Sequence, residues 1–250
     1  MIVDNFGNLH SATGLASLID HTLLKPDASK DDIARICREA REHRFASVCV
    51  NPYWVRFAAH ELKGAPVKVC TVVGFPLGAN RTRTKRFEAE TALADGATEL
   101  DMVQNLGALR SGNSELVRQE IELLAALAHD SGALLKVILE TSLLSPEEKR
   151  MACELAVAGT ADFVKTSTGF SSSGAIAADV RLMREAVGKS IGVKASGGIR
   201  TLASLREMVA AGANRIGTSS GVQILAEVMQ ETTPAPKREE PASQRGSVNY

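Results

Sequence analysis

The stretch LLKVILETSLLSPEEKRMACELAVAGTADFVKTSTG, residues 134–169, carries the repeat on which the fold turns. It opens on a short apolar and β-branched run that ends at Glu140. Ser145 then stands three residues ahead of Glu148, with Pro146 at the first helical position. A serine hydroxyl and a glutamate at that spacing satisfy each other's free backbone N–H groups, and proline has no N–H to satisfy. Gly159 supplies the stop. A second apolar run, ADFVK, starts at once from Ala161. Strand, capped helix and strand in this order form a βαβ unit, whose two strands lie parallel.

Outward from this unit the same alternation continues in both directions. ASLIDHTLL from Ala16, FASVCVN from Phe45, VKVCTVVGF from Val67 and TELDMVQN from Thr98 precede it. IGVKAS from Ile191 and NRIGTSS from Asn214 follow, which makes eight candidate strands. Between them lie helical patterns. In SKDDIARICREAREH, Ser29 is a capping residue and Ile33, Ile36, Cys37 and Ala40 make one stripe. In NSELVRQEIELLAALAHDSG the stripe is Val117, Ile121, Leu124 and Ala128. Eight strand–helix pairs predict a parallel (β/α)8 TIM barrel, one domain spanning 16–230. A doubly wound open sheet is the alternative, but no GxGxxG loop follows the first strand. Residues 1–15 are expected to be an N-terminal segment and 231–250 a polar, proline-punctuated tail that ends in Tyr250.

Composition narrows the class. The chain has 250 residues, enough for a sizeable core, and its 44% hydrophobic content is ordinary for a globular protein. Lys+Arg and Asp+Glu balance at 29 each, so net charge favours neither nucleic acid nor an anionic membrane. No apolar run approaches the roughly 20 residues needed to span a bilayer. The opening MIVDNFGNLHSATG lacks the pattern of a signal peptide. Cys37, Cys49, Cys70 and Cys153 form no CxxC pair, and free thiols in a reducing cytoplasm are the expectation.

The strands also carry chemistry. Side chains alternate along a strand. Leu100 and Met102 share one face, against Glu99, Asp101 and Val103. Val137 and Leu139 oppose Lys136, Ile138 and Glu140; Val164 opposes Lys165, and Val193 opposes Lys194. The apolar face suits surrounding helices, and the other brings Asp20, Asp101, Lys136, Lys165 and Lys194 toward the barrel axis. Buried charges are costly unless they pair, so a mutually neutralised core is one reading. Their clustering near strand C-terminal ends, where such barrels hold active sites, favours a catalytic one. Lys165 and Lys194 fall on consecutive strands, about 4.8 Å apart. Two ammonium groups that close repel, and a neutral lysine amine is the nucleophile that forms a Schiff base with a carbonyl. Asp101 is placed to move protons. The glycine- and serine-rich loops KASGGIR (194–200) and IGTSSG (216–221), each before a helix, suit a phosphate group, with Ser219 and Ser220 as hydroxyl donors.

DHTLLKP, ASVCVNP, TVVGFPLGAN, ELDMVQNLGALRSG, KVILET, FVKTSTGF, VKASGGIR and RIGTSSG, in order from Asp20 to Gly221, closely resemble deoxyribose-phosphate aldolases. The resemblance implies a class I aldolase that cleaves 2-deoxy-D-ribose 5-phosphate to acetaldehyde and D-glyceraldehyde 3-phosphate in deoxyribonucleoside catabolism. It implies Lys165 as the Schiff-base lysine, Lys194 as its pKa-lowering partner and Asp101 as the proton carrier. Asp20 and Thr22 resemble residues near the substrate hydroxyls, and Cys49 a pocket-lining thiol. Lys136 and Thr168 join the substrate side, and Gly169, Gly197, Gly198, Ser219 and Ser220 match the phosphate positions. Some members end in a tyrosine that assists proton transfer, which makes Tyr250 a candidate. Two departures stand out: Phe170 where some members have lysine, and Gln104 where an aliphatic residue is commoner. The partners implied are phosphosugar and aldehyde substrates and a second copy of the chain in a homodimer. A Schiff base is its own electron sink, so neither metal nor organic cofactor is expected.

The remaining features point elsewhere or nowhere. His10, His21, His43, His60 and His129 show no metal-ligand spacing. His21, alternating with Asp20, is expected to face a helix, and Trp54 and Phe57 to pack one on the barrel. The run RTRTKRFE (81–88) reads as a solvated helix start, because no aromatic stacking platform accompanies its charges. A different phosphosugar barrel enzyme, or a binding module without catalysis, would keep the glycine loops but has no need for Lys165, Lys194 and Asp101 together.

Overall fold

The structure is a computed structural model that describes residues 11–232. Eight parallel strands close into one barrel in sequence order: β1 Ile19–Leu23, β2 Ser47–Val50, β3 Lys68–Val73, β4 Glu99–Val103, β5 Leu134–Ile138, β6 Phe163–Lys165, β7 Gly192–Ser196 and β8 Arg215–Thr218. β8 pairs with β1, so the sheet has no open edge. All eight strands expected from the sequence are present, and the open-sheet alternative falls.

Ten α-helices accompany the strands among the described residues. α1 (Ala12–Ala16) precedes β1 and packs against α10 (Gly221–Thr232). The others are α2 (Lys30–His43), α3 (Val55–Glu61), α4 (Thr82–Ala94), α5 (Leu106–Arg110), α6 (Ser114–Asp130), α7 (Pro146–Ala158), α8 (Ala177–Val187) and α9 (Leu202–Ala210). Their ends follow the local chemistry. Ser29 caps α2 in a reciprocal box with Asp32, and Ser145 caps α7 in one with Glu148, with Gly159 at its C-cap. The buried stripe of α2 is Ile33, Ile36, Cys37 and Ala40, as the spacing required.

The main core lies between sheet and helices. Val48, Leu100, Met102, Leu135, Val137, Val164 and Val193 point outward from the strands onto the helix stripes. Each such side chain contributes about 1.5–3 kcal/mol relative to leaving it exposed. The inside of the barrel holds a small apolar cluster of Leu24, Cys49, Cys70 and Val72, with Phe75 against it. Val103, Ile138 and Phe163 are also buried, and among these apolar groups lies a set of charged side chains.

One sequence expectation needs correction. The run at 81–88 is not wholly solvated: Lys85, on α4, is fully buried. Its Nζ donates to Glu120 Oε2 of α6 at 2.6 Å and to the Val103 carbonyl at 2.8 Å. Gly74 makes room for it, since a Cβ there would lie 2.8 Å from Lys85 Cε. The basic run is thus split by an inward-turned residue, which alternation of charge along the chain does not reveal.

Candidate active site

Parallel register assembles the charges. Lys165 is the direct partner of Lys194 across β6 and β7, and Asp101 is the partner of Lys136 across β4 and β5. All four side chains point to the axis and are buried. Asp101 is the hub: its Oδ2 accepts from Lys165 Nζ at 2.7 Å and from Lys194 Nζ at 2.8 Å, and its Oδ1 accepts from Lys136 Nζ at 2.9 Å. The two ammonium groups expected to repel each other therefore share one carboxylate oxygen.

A second tier supports the first. Lys194 Nζ lies 2.5 Å from Asp20 Oδ2, a charge contact without hydrogen-bond angles. Lys136 Nζ lies 2.6 Å from Glu99 Oε2, and Arg215 of β8 bridges Asp20 at 2.7 Å and Glu99 at 3.1 Å. Alternation puts Glu99 on the inward face, but no local pattern marks Arg215, which opens a strand beside Asn214, where an arginine ordinarily faces solvent. Gly217 leaves space for the tier, because a Cβ on it would lie 3.1 Å from Lys194 Cε and 2.3 Å from Ser196 Oγ.

Burial and charge oppose each other here. Burial disfavours the carboxylate of Asp101, yet Lys136, Lys165 and Lys194 together hold it well below the usual carboxylate range. Asp20 is lowered in the same way, with Arg215 and Lys194 outweighing its burial. For Lys194 burial again works against charge, but Asp101 and Asp20 prevail and raise its pKa, so it stays cationic.

Above the cluster is a cleft of about 230 Å³ at the C-terminal mouth of the barrel. Lys165, 3% exposed, lines it, as do Thr22, Thr168, Gly169, Phe170, Gly197, Gly198 and Ser219. Asp20, Asp101, Lys136 and Lys194 lie beneath it. Cys49 is fully buried inside the barrel, paired in register with Cys70, whose Sγ is 3.1 Å from Asp101 Oδ1. Cys49 is not among the cleft-lining residues. Ser220 also stands outside the wall, its N–H donating to Thr218 Oγ1 at 2.9 Å. Gly169, Gly197 and Gly198 have φ of 86°, 91° and 80°, a left-handed backbone that glycine adopts without strain. Lys25 and Arg200 line the rim. The sequence does not single them out, because neither sits in an alternating strand pattern.

The other sequence questions resolve locally. Gln104 is buried and its Nε2 donates to the Leu139 carbonyl at 2.9 Å, tying the ends of β4 and β5. Phe170, 54% exposed, meets Phe75 edge-on at 5.2 Å at the mouth. His21 faces α2, with Nε2 2.6 Å from Glu39 Oε2. Trp54 and Phe57 pack partly buried against the main core. Tyr250 lies outside the described residues. Two groups bring possible metal-ligand atoms within 4.8 Å: Cys49, Cys70 and Asp101, and Asp20, Cys70 and Glu99. Their carboxylates already hold lysine and arginine, so a cation would have to displace these. No helix among the described residues is long and apolar enough to cross a membrane.

A family model described as DeoC/LacD family aldolase matches residues 15–230, nearly the whole barrel. The chain belongs to this aldolase family. As an aldolase it is a carbon–carbon lyase. Deoxyribose-phosphate aldolase 2 of Bacillus licheniformis is 58% identical over 211 residues, which cover 84% of this chain and 94% of that one. Deoxyribose-phosphate aldolase of Bacillus cereus strain AH187 is 56% identical over 219 residues, covering 88% and 98%. Among solved structures, the tetrameric deoxyribose phosphate aldolase of Aeropyrum pernix superposes with a TM-score of 0.84 at 37% identity, covering 91% of this chain and 96% of that one.

Proposed function

We propose that this aldolase cleaves 2-deoxy-D-ribose 5-phosphate to acetaldehyde and D-glyceraldehyde 3-phosphate through a Schiff base on Lys165, within deoxyribonucleoside breakdown. One observation carries the reading. Of the buried charged cluster, Lys165 alone lines the cleft among the described residues. The cluster sets Lys136, Lys165, Lys194 and Arg215 against Asp20, Glu99 and Asp101. Loss of the Lys165 proton leaves three carboxylates facing three cations.

The free amine of Lys165 attacks the open-chain aldehyde carbon. Asp101 takes up the proton released and returns it to the alkoxide oxygen, which completes the carbinolamine. A second proton, equivalent to the one Lys165 gave up and delivered from solvent in the cleft, lets that oxygen leave as water and gives the iminium. The iminium draws in the electron pair of the bond between the second and third carbons as the third-carbon hydroxyl loses its proton. Glyceraldehyde 3-phosphate departs, the remaining enamine is protonated at carbon, and water releases acetaldehyde. Lys194, held charged by Asp20 and Asp101, supports these steps as a fixed cation.

The other assignments follow the cleft. Thr22, Asp20 and Lys136 serve the sugar hydroxyl side, Cys49 lies behind it, and Thr168 belongs to the wall. Gly169, Gly197, Gly198 and Ser219, with Lys25 and Arg200 at the rim, suit the phosphate, and Ser220, which stands outside the wall, supports that loop from behind. We assign Tyr250 to protonation of the enamine, so that Tyr250→Phe slows exchange of acetaldehyde methyl protons with deuterated water. The same proposal includes a homo-oligomer in the cytoplasm, with no metal or organic cofactor. A tetrameric relative and four buried free cysteines are in keeping with it.

The test is trapping. Acetaldehyde and borohydride should reduce an adduct onto Lys165, found by peptide mapping, and a coupled assay should register glyceraldehyde 3-phosphate release. A label on Lys136, or none, sinks the mechanism.

A further inference from the structure

Glu140 has two features that the reaction above leaves unused. It is a non-glycine residue in the left-handed region, with φ 55° and ψ 62°, two residues past the end of β5. Such a conformation costs free energy and persists only where the surroundings impose it. Its carboxylate is also buried, and no ion pair to it is found among the described residues. A buried carboxylate without a cation is unfavourable unless hydrogen bonds satisfy it.

Those hydrogen bonds all come from one residue of the cleft. Thr168 Oγ1 donates to Glu140 Oε2 at 2.5 Å, and the Thr168 N–H approaches the two carboxylate oxygens at 3.3 and 3.4 Å. With its hydrogen committed to Glu140, the Thr168 hydroxyl offers its oxygen to the Phe170 N–H at 3.1 Å. Gly169 is held between these two bonds. A parallel link ties the same segments through the backbone, from Thr141 N–H to the Thr166 carbonyl at 2.9 Å. Thr168, Gly169 and Phe170 all line the cleft. The strained backbone of Glu140 thus sets a carboxylate onto the loop that walls the cleft.

We infer that Glu140 is a positioning residue for substrate recognition. It orients the Thr168 hydroxyl and thereby fixes the 168–170 wall against the phosphorylated part of the sugar. It touches neither the Lys165 amine nor the carbonyl carbon, so it acts on binding of the whole substrate and not on Schiff-base formation. The inference rests on the reading of the cleft given above.

Glu140→Gly tests it, because glycine accepts the left-handed backbone while removing the side chain and its carboxylate. Relative to the parent, KM for 2-deoxyribose 5-phosphate should rise about tenfold or more, from the loss of a fixed wall. The rate of borohydride-trapped adduct formation with acetaldehyde should stay within about twofold of the parent, and Glu140→Gln, which keeps an acceptor oxygen, should recover most of the KM. Adding Thr168→Val to Glu140→Gly should cost little more, since both break one link. A KM unchanged in Glu140→Gly, or independent effects of the two substitutions, overturns the inference. Should Glu140→Gly not fold, Glu140→Asn reads the same bond, because asparagine tolerates the left-handed backbone but is one methylene too short to hold Thr168, and it must raise the KM likewise. Failure to trap any adduct in the parent refutes the Lys165 mechanism instead, and the KM comparison still decides the role of Glu140.

Discussion

Lys85 and Lys165 are both buried lysines that donate to a carboxylate, yet their surroundings differ in kind. Lys85 lies on the helix side of the sheet and pairs with one acid, Glu120, with the Val103 carbonyl as a further acceptor. Lys165 lies inside the barrel, shares Asp101 with Lys136 and Lys194, and meets the cleft. Burial depresses the Lys85 pKa more than Glu120 raises it, whereas two carboxylates overcome burial in Lys194. A closed one-to-one pair has a single satisfied state. A cluster with a surplus cation and an opening can exchange a proton and admit a carbonyl. Burial and pairing alone therefore do not mark an active site; unequal pairing beneath a cleft does.

The sharpest break of this comparison removes each lysine in turn. Lys165→Ala should lower turnover by more than about 10⁴-fold and abolish the trapped adduct, as loss of a nucleophile does. A variant retaining more than a few per cent of parent activity would refute the contrast. Next comes Lys194→Leu, which removes the fixed cation and should cut turnover by about 10²–10³-fold. It also strips Asp20 Oδ2 of the cation that faces it in the interior, so stability should drop by about 3–5 kcal/mol in urea unfolding. Normal unfolding with lost activity would show that the network is looser than its distances imply.

Lys85→Met sharpens the other side. It strands Glu120 and should cost about 3–5 kcal/mol of stability, while activity per folded molecule stays within about twofold. The double variant Lys85→Met with Glu120→Leu should recover much of the loss, because no buried charge remains. A catalytic defect in the folded fraction would place Lys85 in the working site after all.

His21 offers the smallest effect and uses pH. Its Nε2 pairs with Glu39, but burial prevails and lowers its pKa; Arg35 and His43 also work against protonation. An unfolded histidine titrates near pH 6.5 (about the usual value). Above that the imidazole is neutral in both states and its contribution is fully present. As pH falls below about 6.5 the unfolded chain binds the proton first, so stability declines until the folded pKa is passed. Asp20 and Asp101, also depressed, lose their contribution only below about pH 3.9, which separates the two windows. His21→Gln should flatten the decline of the stability profile below about pH 6.5. An unchanged slope would remove His21 from the account.

What could be read in advance follows from periodicity. Ser145, Pro146, Glu148 and Gly159 bound α7 through contacts within a few residues, so the chain alone determined that helix. Alternation determined that Asp101, Lys136, Lys165 and Lys194 point one way, and eight repeats determined closure of the barrel. Lys85 escaped this logic, because its partner Glu120 is 35 residues away on another helix and no local spacing links them.

Tertiary structure decided the rest. Register across strands set which lysines share Asp101, and it brought Arg215 to Asp20 from the far end of the chain. It seated Cys49 below the cleft and turned Glu140 onto Thr168. The physical reason is range. Helix caps and strand faces are settled by hydrogen bonds and alternation over a few residues, which a sequence displays directly. The charge on a buried group is settled by the sum of its neighbours' fields and its lost hydration, and those neighbours come together only when β8 closes on β1.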